Sequence, residues 1–347
     1  MHLKCSRTHI FCNACIFVHQ PIRFEHFHTQ LSVHVSLTFY LCLLLSLASA
    51  LPVNHTRVAM PTTLADLPDA ANHAYIDHVL DDGSSHKLII LVTVNTGYLD
   101  FFRNWLHYYR KLGLGMYLVI AEDKAAFQTL YDDPDMNLKG RVLYAGDDER
   151  VRGVGKEASL ESAFNFRTAG FSAIVNRRPT YLQIILQLGY DVLYTDVDTI
   201  WLQDPLPFLS NATIQLYTQA DPSNEHEAQE GMACSGFVLM RCTRFVIDFV
   251  TQWRLALEDS GDFARVVTNQ QTFDSLIQDI LLGTNILVEN LRFLEFDLFP
   301  NGALFFDKEW REKQARRPVI IHNNWIIGHD EKVVRFRELG LWHADKV

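Results

Sequence analysis

The apolar and polar positions after residue 86 predict a chain of alternating strands and helices. Lys87 to Val94 (KLIILVTV) is an unbroken, β-branched apolar run of the kind that is buried on both faces of a parallel sheet. Apolar residues then recur at helical spacing from Tyr98 to Leu112, and Gly113 ends that helix. The same patterns predict strands at 116–120, 141–144, 191–195, 214–218, 237–240, 293–296 and 319–321, and helices at 123–131, 171–188, 245–257 and 271–281. Strands that alternate with helices in this order predict an α/β fold, with a mostly parallel central sheet in a three-layer α/β/α arrangement.

The first fifty-one residues have a different pattern. Leu31 to Leu51 (LSVHVSLTFYLCLLLSLASAL) is almost wholly apolar, which predicts a signal anchor or a signal peptide cleaved near Ala50. Residues 52–86 mix Pro, Asp, Ser and His without a long period, so we expect a stem there and one folded domain over 87–347. The sequons at Asn54 and Asn211 agree with a body inside the secretory pathway.

Net charge limits the classes of partner. The 347 residues contain 31 Lys and Arg against 41 Asp and Glu, a net charge of −10 at pH 7. Nucleic acid is a poor partner for such a surface because its phosphates dominate binding. If the protein binds an anionic ligand, a local feature must neutralise that ligand.

Two aspartate pairs have the form Asp-x-Asp, and their contexts differ. Asp133 and Asp135 flank a proline in a polar turn, and the pair is of a kind that arises by chance. Asp196 and Asp198 instead follow the apolar strand 191–195, and ligands of open α/β sheets bind beyond the carboxyl ends of strands. Side chains at i and i+2 point to the same side, so both carboxylates can face one hard divalent cation. The alternative is a pair of solvated turn aspartates.

Only Cys234 and Cys242 follow residue 51, and they are either a disulfide or two buried thiols.

Several segments together resemble the nucleotide-diphospho-sugar transferase family that includes plant rhamnogalacturonan xylosyltransferases and arabinosyltransferases. The resemblance covers roughly Lys87 to Trp342. It is carried by LQLGYDVLYTDVDTIWLQDP (Leu186 to Pro205), Ser235-Gly236-Phe237, Asn269-Gln270-Gln271-Thr272-Phe273, Leu298-Phe299-Pro300-Asn301-Gly302, His322-Asn323-Asn324-Trp325 and the later Gly328, Lys332, Arg335 and Trp342.

That resemblance implies a GT-A-like fold and a glycosyltransferase catalytic domain over 87–347. It implies a nucleotide-sugar donor, most often a UDP-sugar, a glycan or glycoprotein acceptor, Mn²⁺ or Mg²⁺ as cofactor, and retention of anomeric configuration. With the N-terminal segment it implies a Golgi, single-pass type II membrane protein with a lumenal catalytic domain, or a secreted protein after cleavage.

The resemblance also assigns candidate roles. Asp196, Asp198 and His322 are the expected metal ligands. The expected donor-binding residues are Thr93, Asn95, Lys156, Arg178 and Asp196, and the expected catalytic group is Asp196, Asp198, Asn269 and Gln270. Asn269 departs from the aspartate usual in the family, which changes a charge to a neutral amide. Trp201, Trp325 and Trp342 are candidates for stacking on sugars, with burial in the core as the alternative.

Two other readings remain open on sequence alone. Asp196-Val197-Asp198-Thr199 also fits the DxDxT motif of haloacid-dehalogenase-type phosphatases, in which the first aspartate is a nucleophile. That motif normally follows the first strand, whereas about 110 residues of the predicted domain precede it here. A non-catalytic carbohydrate-binding protein on the same fold is the other reading, and Asn269 is its only support.

Overall fold

The computed structural model describes residues 63–146, 162–164, 168–224, 232–259, 269–283 and 289–344. The predicted N-terminal segment, the Asn54 sequon and Lys156 lie outside these ranges. Within them, no helix is both long and apolar enough to cross a membrane.

The described residues form twenty helices and strands. In chain order they are α1 (Leu67–Ala74), β1 (Tyr75–Val79), β2 (Ser85–Val94), α2 (Leu99–Leu112), β3 (Leu118–Ala121), α3 (Lys124–Asp132), β4 (Val142–Tyr144), α4 (Ala169–Val175), α5 (Arg178–Gln187), β5 (Asp191–Thr195), β6 (Thr199–Trp201), β7 (Leu216–Ala220), β8 (Ala233–Met240), α6 (Arg244–Asp259), α7 (Asn269–Leu282), β9 (Leu291–Leu294), α8 (Gly302–Phe305), α9 (Lys308–Lys313), β10 (Ile320–His322) and α10 (His329–Glu338). Short 3₁₀ turns lie at Leu64–Asp66, Thr96–Tyr98 and Leu206–Leu209.

The central sheet has the order β4-β3-β2-β5-β8-β7-β9. Strands β4, β3, β2 and β5 run parallel, β8 is antiparallel to both β5 and β7, and β9 is parallel to β7. The chain moves from β2 to β3 and β4 on one side, while β5 lies on the other side of β2. The carboxyl ends of β2 and β5 therefore flank a topological switch point, where open α/β sheets bind ligands.

Strand β2 shows why the sheet is covered on both faces. Ile89 and Leu91 pack into one core cluster with α1, α5, α6 and α7. Leu88, Ile90 and Val92 pack into a second cluster with α2 and α3. Because successive side chains of a strand point to opposite faces, the continuous apolar run fills both layers. The predicted three-layer α/β/α fold is confirmed.

The stem boundary requires correction. We expected order to begin near Lys87, but residues 64–79 already form a 3₁₀ turn, α1 and β1. Strand β1 pairs antiparallel with the first half of β2, and Leu67, Ala70, Ala71 and Ala74 of α1 are fully buried. Strand β1 lacks an apolar pattern because its one buried residue is the polar His78, while Asp77 and the apolar Val79 are exposed.

A second, two-stranded sheet pairs β6 with β10, neither of which continues the central sheet. Ile200 and Ile321 of this sheet are buried in a third cluster with Phe101, Val333 and Phe336, between α2 and α10. The predicted strand 319–321 therefore corresponds to β10, whereas β6 and α10 were not predicted. Cys234 and Cys242 are both free thiols, so the disulfide alternative is wrong.

Candidate active site

Pairing between β6 and β10 brings the two halves of the predicted metal site together. Asp196 and Asp198 follow β5, and Thr199 immediately begins β6. His322 lies opposite Thr199 in the β6–β10 register, and the Asn323 amide donates to the Asp198 carbonyl at 2.9 Å. Asp196, Asp198 and His322 each offer a ligand atom, and these atoms lie within 4.8 Å of one another. These three residues are called the triad below.

Asp198 is the most strongly held member of the triad. Its Oδ2 contacts Lys332 Nζ at 2.5 Å, and its Oδ1 is 3.3 Å from His322 Nε2. Burial alone would raise the pKa of Asp198, but the charges of Lys332 and His322 outweigh burial and hold that pKa well below its ordinary value. Asp198 is therefore a carboxylate at neutral pH, the form that a hard cation binds.

Gln219 fixes the orientation of His322. The Gln219 side chain is fully buried, and its Nε2 donates to the carbonyls of Phe299 and Pro300 at 3.0 and 3.1 Å. Its Oε1 must then face His322 Nδ1, which lies 2.9 Å away and donates to it. Nε2 therefore faces the two aspartates. Burial alone would lower the pKa of His322, but Asp198 raises it, so Nε2 carries a proton beside Asp198 that a bound cation would replace.

Asp196 is held from one side only. Its Oδ1 accepts from Arg178 Nη2 at 2.8 Å and from the Tyr194 hydroxyl at 2.7 Å, while its Oδ2 lies 3.7 Å from His322 Nε2. The Arg178 guanidinium also stacks over the Tyr194 ring, 4.2 Å from its centroid. Thr93 is 3.0 Å from the Tyr194 hydroxyl, so this predicted donor residue reaches Asp196 through Tyr194.

Space for a cation is maintained by Gly236. A Cβ built on Gly236 would lie 2.4 Å from His322 Cε1 and 2.5 Å from Asp196 Oδ2. The Asp196 amide donates to the Gly236 carbonyl at 2.8 Å, so β8 approaches the triad with bare backbone. Two carboxylates and one imidazole are oxygen and nitrogen donors that suit Mn²⁺, and the pocket at Gly236 leaves them facing one point. The residues present fit the implied cation.

Asn269 and Gln270 contact the site through Ser235. Asn269 Oδ1 and Gln270 Oε1 lie 3.2 and 3.0 Å from Ser235 Oγ, and the Ser235 amide donates to Gln270 Oε1 at 2.8 Å. Arg178 Nη1 donates to the Ser235 carbonyl at 2.9 Å. Asn269 Nδ2 donates to the Val175 carbonyl at 2.9 Å, a bond that an ionised aspartate could not make. The asparagine found here is therefore matched to its surroundings.

The other predicted residues have local structural partners or lie outside the description. Asn95 is buried and its Nδ2 donates to the Ser162 carbonyl at 2.7 Å. Asp133 accepts from the amides of Asp135 and Met136 in its own turn, as expected for a chance Asp-x-Asp. The structure does not describe Lys156.

Four residues of the site were not assigned roles from sequence. Lys332 and Ser235 stood in motifs that carried the family resemblance, which was the available signal. Gln219 and Asp221 stood in no motif. Their partners are His322 and Asn324, 103 residues away in each case, so the contacts follow from strand order and not from local pattern.

Known proteins resemble this chain in sequence and in structure. A model of the nucleotide-diphospho-sugar transferase family matches residues 113–336. UDP-D-xylose:L-fucose alpha-1,3-D-xylosyltransferase 1 of Arabidopsis thaliana is 32% identical over 272 residues, which span 74% of this chain and 71% of that protein. UDP-galactose:fucoside alpha-3-galactosyltransferase of Dictyostelium discoideum is 28% identical over 290 residues, which span 74% of this chain and 43% of that protein. A solved structure of the galactosyltransferase LgtC with donor and acceptor sugar analogs has a TM-score of 0.46 at 12% identity, and covers 74% of this chain and 95% of its own.

Proposed function

Because this chain belongs to the nucleotide-diphospho-sugar transferase family and is a glycosyltransferase, we propose that it transfers a sugar from a UDP-sugar to a glycan in a reaction that requires a divalent cation. The observation that carries the proposal is the triad. Its ligand atoms lie within 4.8 Å of one another at the carboxyl edge of the sheet, with Arg178 and Lys332 in contact with its two aspartates.

The charge of the donor explains why such a cluster is needed. A protein of net charge −10 repels a diphosphate unless local cations neutralise it. When bound by Asp196, Asp198 and His322, Mn²⁺ or Mg²⁺ supplies Lewis-acid stabilisation of the diphosphate oxygens. Arg178 and Lys332 add two cationic side chains beside the same edge, and a guanidinium pairs well with phosphate.

The residues of the site then have distinct roles. Arg178 and Tyr194 hold Asp196, and Gln219 holds His322, so the ligands are positioned before the donor arrives. Arg178 and Lys332 stabilise the negative charge that develops on the departing nucleoside diphosphate. The acceptor hydroxyl attacks the anomeric carbon from the face of the leaving group, and a departing phosphate oxygen takes its proton.

Retention and acceptor class are supported by the relatives. Two of them are named for alpha linkages made from UDP-D-xylose or UDP-galactose, with L-fucose or a fucoside as acceptor. We extend this to a pentose or hexose donor and a fucose-containing glycan or glycoprotein acceptor. The apolar segment 31–51 supports action in the Golgi lumen, either as a type II membrane protein or after cleavage near Ala50.

The two competing readings lose their support. Family membership and the xylosyl- and galactosyltransferase relatives argue against a phosphatase. Asn269 was the only support for a non-catalytic protein, and its amide is used in a hydrogen bond within the site.

Release of UDP tests the proposal. The full chain is incubated with a panel of UDP-sugars and Mn²⁺, with and without excess chelator and acceptor. We expect release that depends on the metal, and we expect Asp198→Ala and Asp198→Asn to lower it by about 10³-fold or more. Asp135→Ala, in the other Asp-x-Asp pair, is the matched control and should leave release unchanged. Release that survives chelation, or full activity in a folded Asp198 variant, would contradict metal dependence.

A further inference from the structure

The structure assigns a second part of the site to the acceptor: we propose that the Trp325 ring is the surface on which the terminal acceptor sugar stacks, and that Asp221 positions it. The inference rests on the proposed function. Of the three tryptophans that the sequence offers for sugar stacking, Trp201 is 1% exposed and Trp342 packs against Phe101 and Phe336. Trp325 is 46% exposed.

The backbone at Trp325 indicates that its side chain has a role. Its φ is 56°, in the left-handed region that costs a bulky residue free energy and that glycine adopts freely. Burial of the ring does not compensate this cost, because nearly half of the residue is exposed. Strain of this kind is concentrated at ligand sites, where the surrounding structure holds it in place.

Asp221 fixes the indole by its polar edge. One oxygen, Oδ1, accepts from Trp325 Nε1 at 2.8 Å, from Asn324 Nδ2 at 2.8 Å and from Asn301 Nδ2 at 2.9 Å. Asn301 is fully buried and donates also to the Pro222 carbonyl, so the anchor is itself rigid. No aromatic ring among the described residues stacks on Trp325, and the 46% exposure of the residue leaves part of its surface accessible to a ligand.

The anchor is one layer of side chains away from the triad. Asn324 Nδ2, which donates to Asp221, also lies 3.9 Å from Cys234 Sγ, and Cys234 Sγ lies 3.5 Å from His322 Nδ1. Trp325 follows His322 by three residues on the loop between β10 and α10. The Trp325 anchor is therefore connected to the triad through Asn324 and Cys234, and we expect an acceptor on the ring to lie next to a donor bound there.

The chemistry of the surface selects a sugar as its occupant. Ile327, two residues further along the same loop, is 60% exposed, so two large apolar side chains of this loop are accessible to a ligand. A pyranose ring has an apolar C–H face and a rim of hydroxyl groups, so it matches an aromatic face bordered by hydrogen-bonding side chains. The donor does not need this surface, because a cation held by the triad would neutralise its diphosphate.

Separate Michaelis constants for donor and acceptor test the inference. The acceptor is whichever of the methyl glycosides of L-fucose, D-galactose, D-xylose and L-arabinose the wild-type full chain glycosylates fastest. We expect Trp325→Gly to raise the acceptor KM at least tenfold and to change the donor KM less than twofold. The melting temperature should not fall, because glycine relieves the positive φ. Trp325→Phe keeps an aromatic ring, so its acceptor KM should be close to that of the wild type. Asp221→Ala should raise the acceptor KM severalfold.

The outcomes are distinct from those that test the proposed function. Leu282→Ala, at a residue 82% exposed at the end of α7, is the control for loss of a surface apolar side chain and should change neither constant. An unchanged acceptor KM in Trp325→Gly overturns the inference, and so does an equal rise in both constants. UDP release by a wild-type chain that glycosylates none of the four glycosides also overturns it. A wild-type chain that releases no UDP from any donor contradicts the proposed function itself, and the acceptor surface with it.

Discussion

Strand β5 carries an aspartate at each end, and each aspartate is paired with an arginine. Asp191 begins the strand and contacts Arg241 at 2.9 Å, while Asp196 follows the strand and contacts Arg178 at 2.8 Å. The two pairs share residue types and strand, but their surroundings differ. Their comparison shows what separates a structural ion pair from a chemical one in this molecule.

At the amino end of β5, every partner of Asp191 has a structural role. Its Oδ2 accepts from Arg241 and contacts His86 Nδ1, both at 2.9 Å, and its Oδ1 accepts from the Cys242 amide at 2.7 Å. Arg241 is 1% exposed and also donates to the Leu209 carbonyl. Both oxygens of Asp191 therefore have protein partners.

At the carboxyl end, Asp196 keeps one side open. Its side chain is 28% exposed, its Oδ2 faces His322 Nε2 at 3.7 Å, and Gly236 withholds a side chain from the space beside it. An arginine partner is therefore common to both ends. The difference is an oxygen directed into a space that other ligand atoms also face.

The largest effect that we expect is a loss of stability at the amino end of β5. Asp191→Ala leaves Arg241 buried without its carboxylate, which should lower the free energy of unfolding by about 3–5 kcal/mol. UDP release, measured where the variant is still folded, should stay within about threefold of wild type, because Asp191 lies at the opposite end of β5 from the triad. Urea unfolding of the full chain and a donor assay measure the two quantities.

Asp248→Ala is the matched control for Asp191→Ala. Asp248 pairs with Arg244 at 2.8 Å on the surface of α6, where the two side chains are 52% and 87% exposed. Removing an exposed pair of this kind should cost less than about 1 kcal/mol. If Asp191→Ala removed activity without destabilising the chain, the amino end of β5 would also have to be assigned to the chemistry.

Only part of the site at the carboxyl end of β5 could be predicted from sequence. The apolar strand 191–195 and the aspartates after it were predicted, because strand period and the edge rule are local signals. The convergence of His322 on Asp198 followed from the family resemblance. The partners Gln219 and Lys332 did not follow from any local signal, since β6–β10 pairing and the packing of α10 decide them.

The error at residues 63–86 has a related cause. Strand β1 buries the polar His78 and exposes Val79, so its sequence lacks the continuous apolar run that identified β2. Long buried segments could be recognised from their own residues. Short elements that depend on a distant partner could not.

A smaller effect is expected from filling the open side of Asp196. Gly236→Ala places a Cβ within 2.5 Å of both His322 and Asp196, so one ligand must move. We expect Mn²⁺ affinity to fall about 100-fold, which is about 2.7 kcal/mol. Calorimetric titration of the full chain with Mn²⁺ measures this. Gly189→Ala is the control: its φ of 91° costs strain, but its added Cβ meets nothing within 4 Å. Equal Mn²⁺ affinity in the wild type and Gly236→Ala would show that the cation does not lie beside Gly236.

The smallest expected effect concerns Glu122, a buried carboxylate that shares one feature with Asp191 and another with Asp196. Like Asp191 it has structural partners, Arg177 Nη1 at 3.3 Å and the Tyr181 hydroxyl at 2.9 Å. Like Asp196 it is incompletely engaged, because no group among the described residues donates to its Oε1. Burial outweighs Arg177 and Tyr181 and raises the pKa of Glu122 from its ordinary 4.5 to about 7.

A raised carboxyl pKa makes the folded state bind a proton that the unfolded state has already lost. The contribution of Glu122 to stability is therefore complete below pH 4.5 and is lost as pH rises through 7. Relative to Glu122→Gln, wild type should lose at most about 1.4 kcal/mol for each pH unit in that window. Urea unfolding of both full chains at pH 5, 6, 7 and 8 measures the difference. Glu258→Gln is the control, because it removes an exposed carboxylate whose ion pair with Arg254 should contribute less than about 1 kcal/mol to stability. A difference between wild type and Glu122→Gln that stayed constant from pH 5 to 8 would mean that Glu122 is ionised throughout, and that Arg177 satisfies it as fully as Arg241 satisfies Asp191.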